Sequence, residues 1–252
     1  MPRLPLVLAL AALVLLATSP AIGPRAPLAL SAALALGAVG AALLAVGRTP
    51  GPAARIAALV ACLLVADLSG FLWQPVMILA LAVFLLLARL VPGLRRGRPW
   101  CVRGRVPVLA TLGCAAVTPV GLVAWLLLAR PDLSDVVGAY VPDLPVPILL
   151  AGAVGFAVLN ATLEETLWRG IVQEDLGTIL GPAWAVAVQA ASFGLAHAHG
   201  VPRGIAGVLL AGAWGVLLGL LRQRAGGLLA PILAHVVADA TIATIVLLLP
   251  RP

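Results

Sequence analysis

Long apolar runs, broken by short clusters of charge and of Gly and Pro, dominate this chain. Uncharged runs near 20 residues predict membrane-spanning helices. Nine can be placed, at 4–24, 26–46, 56–68, 72–88, 106–129, 147–163 or beyond, 182–197, 204–221 and 228–249. The third is short, and Asp67 near its end, beside Ser69 and Gly70, reads as a helix-end group. The pattern predicts an all-α polytopic membrane protein with about eight to nine transmembrane helices. Helices that are apolar all round carry no amphipathic moment, so periodicity adds little. The glycines between 204 and 219 suit close helix–helix contact. The first run, with Arg3 ahead of it and Ala-Thr-Ser-Pro-Ala in its last part, also has the form of a cleavable signal peptide. A retained helix is the expectation, because eight further spans leave secretion without a purpose.

Composition agrees: 63% of the 252 residues are hydrophobic and 10% charged, with a mean hydropathy of +1.16. The cations are 16 arginines without a lysine, against 9 acidic residues. They lie between apolar runs rather than in a basic stripe with interleaved aromatics. Topology and anionic headgroups therefore explain the charge, and nucleic-acid binding is not expected. Six arginines (Arg89, Arg95, Arg96, Arg98, Arg103, Arg105) fill the loop between the fourth and fifth spans. That loop reads as cytoplasmic and solvated, with a lipid or regulator site as the alternative. Alternation from it places the N-terminus inside and 12 arginines on the cytoplasmic side, Arg169 among them. Arg25, Arg130, Arg203 and Arg251 fall outside. Cys62, Cys101 and Cys114 include no C-x-x-C pair and imply neither a disulfide framework nor a cysteine metal site. Residues 1–105 are N-terminal helices without an assigned function, 106–144 the fifth span with an acidic outer loop, and 145–252 the part that carries chemistry.

That chemistry starts at Glu164-Glu165-Thr166-Leu167-Trp168-Arg169, which follows a stretch, 144–163, without a charge. An ionisable group at the centre of a membrane helix costs about 2.5–3.5 kcal/mol on insertion scales, so it marks function by default. Glu165 and Arg169 are i and i+4 and can neutralise each other. Glu164 points about 100° away and is left spare. A plain helix salt bridge is the competing reading of the pair. The three histidines all come later. His197 follows Phe193 by four, and His199 lies about 200° around the same helix, so both cannot face one site. His199 reads as interfacial, near a helix end marked by Gly200 and Pro202. His235 and Asp239 are i and i+4 within the last span, a spacing for a hydrogen-bonded pair or for two ligands of one metal.

Glu-Glu-x-x-x-Arg, Phe-x-x-x-His and His-x-x-x-Asp, in this order on consecutive membrane helices, resemble the CAAX-protease and bacteriocin-processing family of intramembrane endopeptidases. The resemblance covers about 145–249 and includes Pro231-Ile232-x-x-His235. It implies peptide-bond hydrolysis, with Glu164 and His197 activating water and His235 and Asp239 facing the oxyanion. Glu165 and Arg169 would lock the first helix, and Phe193 would pack beside His197. The family has also been described as metalloproteases. Under that description Glu164, His197 and His235 are the zinc ligands, with water at the open position. Many members carry Asn where this chain has Asp239. An ionised carboxylate cannot donate to an oxyanion, so a neutral Asp239 is expected.

These readings leave one geometric tension. Counting at 1.5 Å per residue from Pro147 puts Glu164 about 25 Å down, near the cytoplasmic side. Counting from Pro182 puts His197 about 22 Å up, toward the opposite side. A shared site requires the sixth helix to continue past Arg169 or the seventh to start below the membrane. Two other function classes fit the sequence: a proton-coupled transporter, and an inactive scaffold or immunity protein of the same fold. The expected site is a polar, open cavity on the cytoplasmic side of spans six to nine, with spans one to five closely packed. The expected setting is a bacterial cytoplasmic membrane, and the expected partners are lipid and a peptide or membrane-protein substrate. Leader peptides or membrane-protein tails are better expectations there than prenylated ends. Oligomeric state leaves no trace in the sequence.

Overall fold

The computed structural model describes residues 51–67, 73–95, 101–198 and 200–249. The expected spans at 4–24 and 26–46, with the signal-peptide reading of the first, lie outside them. So do Arg3, Arg25, Arg48, Ser69, Gly70, Arg96, Arg98, His199 and Arg251.

Among the described residues all regular structure is helical. The elements are α1 (Pro52–Asp67), α2 (Trp73–Leu90), α3 (Val108–Ala129), α4 (Ser134–Tyr140), α5 (Val146–Leu180), α6 (Pro182–Ala196), α7 (Gly204–Ala225) and α8 (Leu229–Leu248). Each span expected from residue 56 onward coincides with one of them. Five, namely α2, α3, α5, α7 and α8, are long and apolar enough to cross a membrane. Helices α1 and α6, with 16 and 15 residues, fall short of the roughly 20 that a bilayer requires. The short α4 sits in the acidic loop, where the pattern had shown no element; the Asp132 carboxylate accepts from the Ser134 amide at its start (2.9 Å).

Helix α5 removes the geometric tension. It does not stop near Arg169 but runs for 35 residues, about 52 Å at 1.5 Å per residue. Over Thr166–Val172, directly after Glu165, its backbone widens into a π-helical turn. Gly181, at φ +82°, ends it and Pro182 starts α6, which returns alongside. Glu164 precedes Gly181, and His197 follows it, by nearly equal numbers of residues, so both stand roughly 25 Å from that turn. Counting each helix from its own membrane edge had put them on opposite sides; counting from their shared hairpin puts them level.

The two halves of α5 meet different surroundings. Over 146–163 its buried residues are Ala157, Asn160 and Ala161, one helical stripe that faces α8. From Glu164 to Leu176 nearly every side chain is buried. Trp168, Leu167, Ile171 and Leu176 join a core with α1, α2 and α6. Arg169, expected in an inner loop, is 0% exposed inside that core. Helix α1 is held to α5 by a buried bidentate pair: Arg55 Nε and Nη2 donate to Asp175 at 2.9 and 2.6 Å. Helix α3, by contrast, buries only Thr111, Leu122 and Trp125, so the expected close packing of spans one to five does not extend to it.

Helices α6 and α7 approach closely because glycines line the contact. A Cβ on Gly194 would lie 2.5 Å from the Val208 carbonyl oxygen and 2.9 Å from Gly212 Cα. Side-chain amides use the same closeness: Gln189 donates to the Gly215 carbonyl (2.8 Å) and Gln173 to the Gly219 carbonyl (2.9 Å). At one end Arg203, just before α7, pairs with Asp135 (3.0 Å), so the two loops assigned to the outer side do adjoin. At the other end residues 102–105, expected as solvated loop, are tied by backbone to the α7–α8 turn. Arg105 N–H donates to Ala225 O (2.8 Å), Leu228 N–H to Val102 O (2.7 Å) and Leu229 N–H to Arg103 O (3.1 Å).

Overpacking of a tight contact costs about 1–3 kcal/mol. Gly194→Ala is therefore expected to lower stability by that amount, read as thermal unfolding of the detergent-solubilised chain. An unchanged midpoint would mean that the α6–α7 contact is looser than described.

Candidate active site

The site is built on the Glu164–Glu165 step of α5, which faces the first third of α8. Glu165 meets His235 and Asn160 meets Asp239, so the two helices run antiparallel. The His235 Nδ1–H donates to Glu165 Oε1 at 2.6 Å. The same oxygen accepts from Arg169 Nη1 at 2.8 Å. Glu165 and Arg169 are 0% exposed and His235 is 3%. Arg169 also lays its guanidinium over the Phe193 ring, 4.4 Å from the centroid, a cation–π contact. The expected i,i+4 pair therefore exists, but it does more than lock its own helix. Through Glu165 it fixes which nitrogen of His235 is turned toward the rest of the site.

That nitrogen, Nε2, lies 3.7 Å from Glu164 Oε2 and 3.7 Å from Asp239 Oδ1. Glu164 is only half spare, because its Oε1 accepts from the Trp73 indole at 3.1 Å. Its Oε2 is buried without a hydrogen-bond partner among the described residues. Asp239 Oδ2 accepts from the Asn160 amide (3.1 Å), whose own oxygen accepts from Gln74 (3.1 Å). A chain of polar groups thus runs from α2 through α5 to α8.

His197 caps the C-terminal end of α6, with Nδ1–H donating to the Phe193 carbonyl (2.8 Å). In the neutral ring this leaves the lone pair on Nε2. Its ring packs on Phe193 with centroids 4.4 Å apart, as expected of that pair. Among the described residues no hydrogen bond or ion pair joins His197 to Glu164. His197, His235 and Asp239 line one cavity of ≈ 140 Å³ between α3, α6, α7 and α8. The cavity is not the polar one expected. Leu122, Leu210, Trp214, Leu217 and Ile242 make up much of its wall, because it lies among helices whose remaining faces suit lipid.

The zinc expectation can be set against these contacts. His235 Nδ1 is committed to Glu165, and Glu164 gives one oxygen to Trp73. Among the described residues no three His, Cys, Asp or Glu side chains are grouped to hold a metal ion. Glu164, His197 and His235 do not form a ligand set in this arrangement.

Sequence reading missed Trp73, Gln74 and Asn160. Asn160 carried a signal, as an amide four residues before Glu164 on the same helical face, in a run read only for its lack of charge. Gln74 was a weaker one, and nothing marked Trp73.

Residues 146–241 match the model of the family described as type II CAAX prenyl endopeptidase Rce1-like. This segment contains every charged or aromatic site residue anticipated from sequence. No curated protein and no solved structure matches the chain.

Removing one partner of a buried ion pair leaves the other charge uncompensated, at a cost of about 3–5 kcal/mol. Arg169→Met is expected to lose that much stability, and adding Glu165→Gln to recover part of it. Chemical unfolding of both variants checks this; equal losses would show that the buried charge is not what Arg169 relieves.

Proposed function

Because residues 146–241 match the model of the type II CAAX prenyl endopeptidase Rce1-like family, we propose that this chain is an intramembrane endopeptidase. It hydrolyses a peptide bond in a membrane-associated peptide or protein. The observation that carries the reading is the disposition of His235. One nitrogen is pinned by Glu165 at 2.6 Å, and the other faces both Glu164 and Asp239 at 3.7 Å. Both gaps exceed hydrogen-bond length, so these atoms do not consume one another and stay available to an incoming carbonyl and water.

In this mechanism Glu164 Oε2 takes a proton from water, with His197 Nε2 orienting it, as the water oxygen attacks the carbonyl carbon. The carbonyl oxygen becomes an oxyanion opposite His235 Nε2. Since Nδ1–H is given to Glu165, donation from Nε2 uses the imidazolium, with a proton on each nitrogen. Asp239 is the second donor. Its Oδ2 accepts from Asn160, so its proton belongs on Oδ1, toward His235. Collapse breaks the C–N bond, and the proton held by Glu164 passes to the leaving amine. The products are a carboxylate and an amine. The family match supports neither a carrier nor an inactive scaffold.

A quenched fluorescent peptide incubated with the purified chain tests this reading. Glu164→Gln is expected to remove turnover, by at least about 100-fold for loss of a general base. Loss of an oxyanion donor costs about 10²–10³ in kcat, so Asp239→Ala is expected to fall by that factor. Asp239→Asn is expected to stay within about tenfold of the parent, since the amide replaces the donor. An inactive Asn variant beside an active parent would remove Asp239 from the donor role. Activity is also expected to survive dialysis against a chelator; loss that added zinc restores would replace the glutamate mechanism with a metal-dependent one.

A further inference from the structure

The extended segment 101–105 is the strand of chain that precedes α3, and it is held in place chiefly by its backbone. Its carbonyls at Val102 and Arg103 receive the Leu228 and Leu229 amides, and Arg105 returns a hydrogen bond to Ala225. Amides in the first turn of a helix have no partner within the helix, so the segment completes the start of α8. The fit depends on two glycines. Gly104 adopts φ +71°, and a Cβ there would run into Gly227; one on Gly227 would run into Arg103 and Gly104. The strap also reaches the other half of the site, because Cys101 Sγ lies 3.8 Å from the Thr166 hydroxyl, one residue after Glu165. It therefore touches both chain segments that frame the site: the turn bearing Glu164 and Glu165, and the helix start six residues before His235.

Its two arginines are turned to the surface. Arg103 and Arg105 are exposed, as is Arg224, which adjoins the Ala225 carbonyl that the strap holds. Among the described residues none of these three guanidinium groups has a hydrogen bond or ion pair. The contrast is with Arg55, Arg169, Arg203 and Arg222, each matched to a carboxylate. The position decides what can meet them. The strap lies where α3 begins, α7 ends and α8 begins, at the common end of three apolar helices. In a bilayer that is the depth of the lipid phosphates.

We propose that the Arg103–Arg105–Arg224 face docks anionic phospholipid headgroups, and that lipid held there braces the strap and so the start of α8. Each basic residue near an anionic surface contributes about fivefold in affinity, and the three together about 100-fold. The docking stands without the peptidase reading. Its effect on turnover rests on that reading.

The test uses the full chain in nanodiscs or detergent. Retained lipid is counted by native mass spectrometry with phosphatidylglycerol or phosphatidylcholine, and hydrogen exchange is followed at the Leu228 and Leu229 amides. Phosphatidylglycerol is expected to be retained in preference and to slow exchange at these amides about fivefold or more. The triple variant Arg103→Gln, Arg105→Gln, Arg224→Gln is expected to lose roughly 100-fold in phosphatidylglycerol binding, and the slowing with it. Equal retention of the two lipids overturns the docking surface. Equal slowing by inorganic phosphate overturns it in favour of a free-anion site. Selective binding that leaves exchange unchanged overturns the bracing. Where binding and slowing hold but no peptide is cleaved in any lipid, the peptidase reading fails and the docking stands.

Discussion

A single carboxylate oxygen, Glu165 Oε1, accepts from both a buried arginine and a buried histidine, and the arrangement of this half of the molecule follows from it. Burying Arg169 and Glu165 with no solvent contact removes both charges from water. Coulomb attraction between them repays that only if further groups take up the remaining polarity. The His235 N–H and the Phe193 ring supply part of that compensation from α8 and α6, while Glu165 Oε2 and Arg169 Nε and Nη2 are buried without a hydrogen-bond partner among the described residues. Three helices are thereby located against one point. None of them can shift without leaving a charge or an N–H unsatisfied where no water reaches it.

That constraint explains why α5 must be long and why it changes character midway. A helix ending at Arg169 would carry the ion pair at a frayed terminus, open to solvent. Continued to Leu180, it sets the pair inside a core with α1, α2 and α6, and Asp175 with Arg55 fastens its far part. The hairpin at Gly181 then returns α6 to the level of Glu164 and presents Phe193 and His197 there. The π turn starts directly after the two glutamates and contains Arg169, at the change from a lipid-facing helix to a protein-facing one. Wide turns of this kind occur often at functional sites.

Much of the site was legible because it is costly. Glu164, Glu165, Arg169, His235 and Asp239 stand out in an apolar chain, and i,i+4 spacing already paired two sets of them. Their ordered motifs carried the family. Less was legible where cost is low or geometry is long-range. Asn160, Gln74 and Trp73 are uncharged and stand out little from apolar neighbours, yet they complete the polar chain. The level of His197 could not be found while each helix was counted from its own membrane edge, because the missing quantity was the position of a turn. The nature of the cavity was misjudged for a similar reason: polar residues were assumed to gather around polar space. Here His197, His235 and Asp239 share the lining with a majority of apolar side chains.

Helix α5 is solvated by lipid over one half and by its own protein over the other. A thinner or thicker bilayer would meet only the first half and can be accommodated there by tilt of α3, which buries few residues against its neighbours. The Glu164 and Glu165 carboxylates sit where the change of solvent occurs, anchored from the protein-facing half. The geometry of the candidate site is therefore referenced to an internal post and not to the membrane plane, and adaptation to membranes of different thickness would fall on α3.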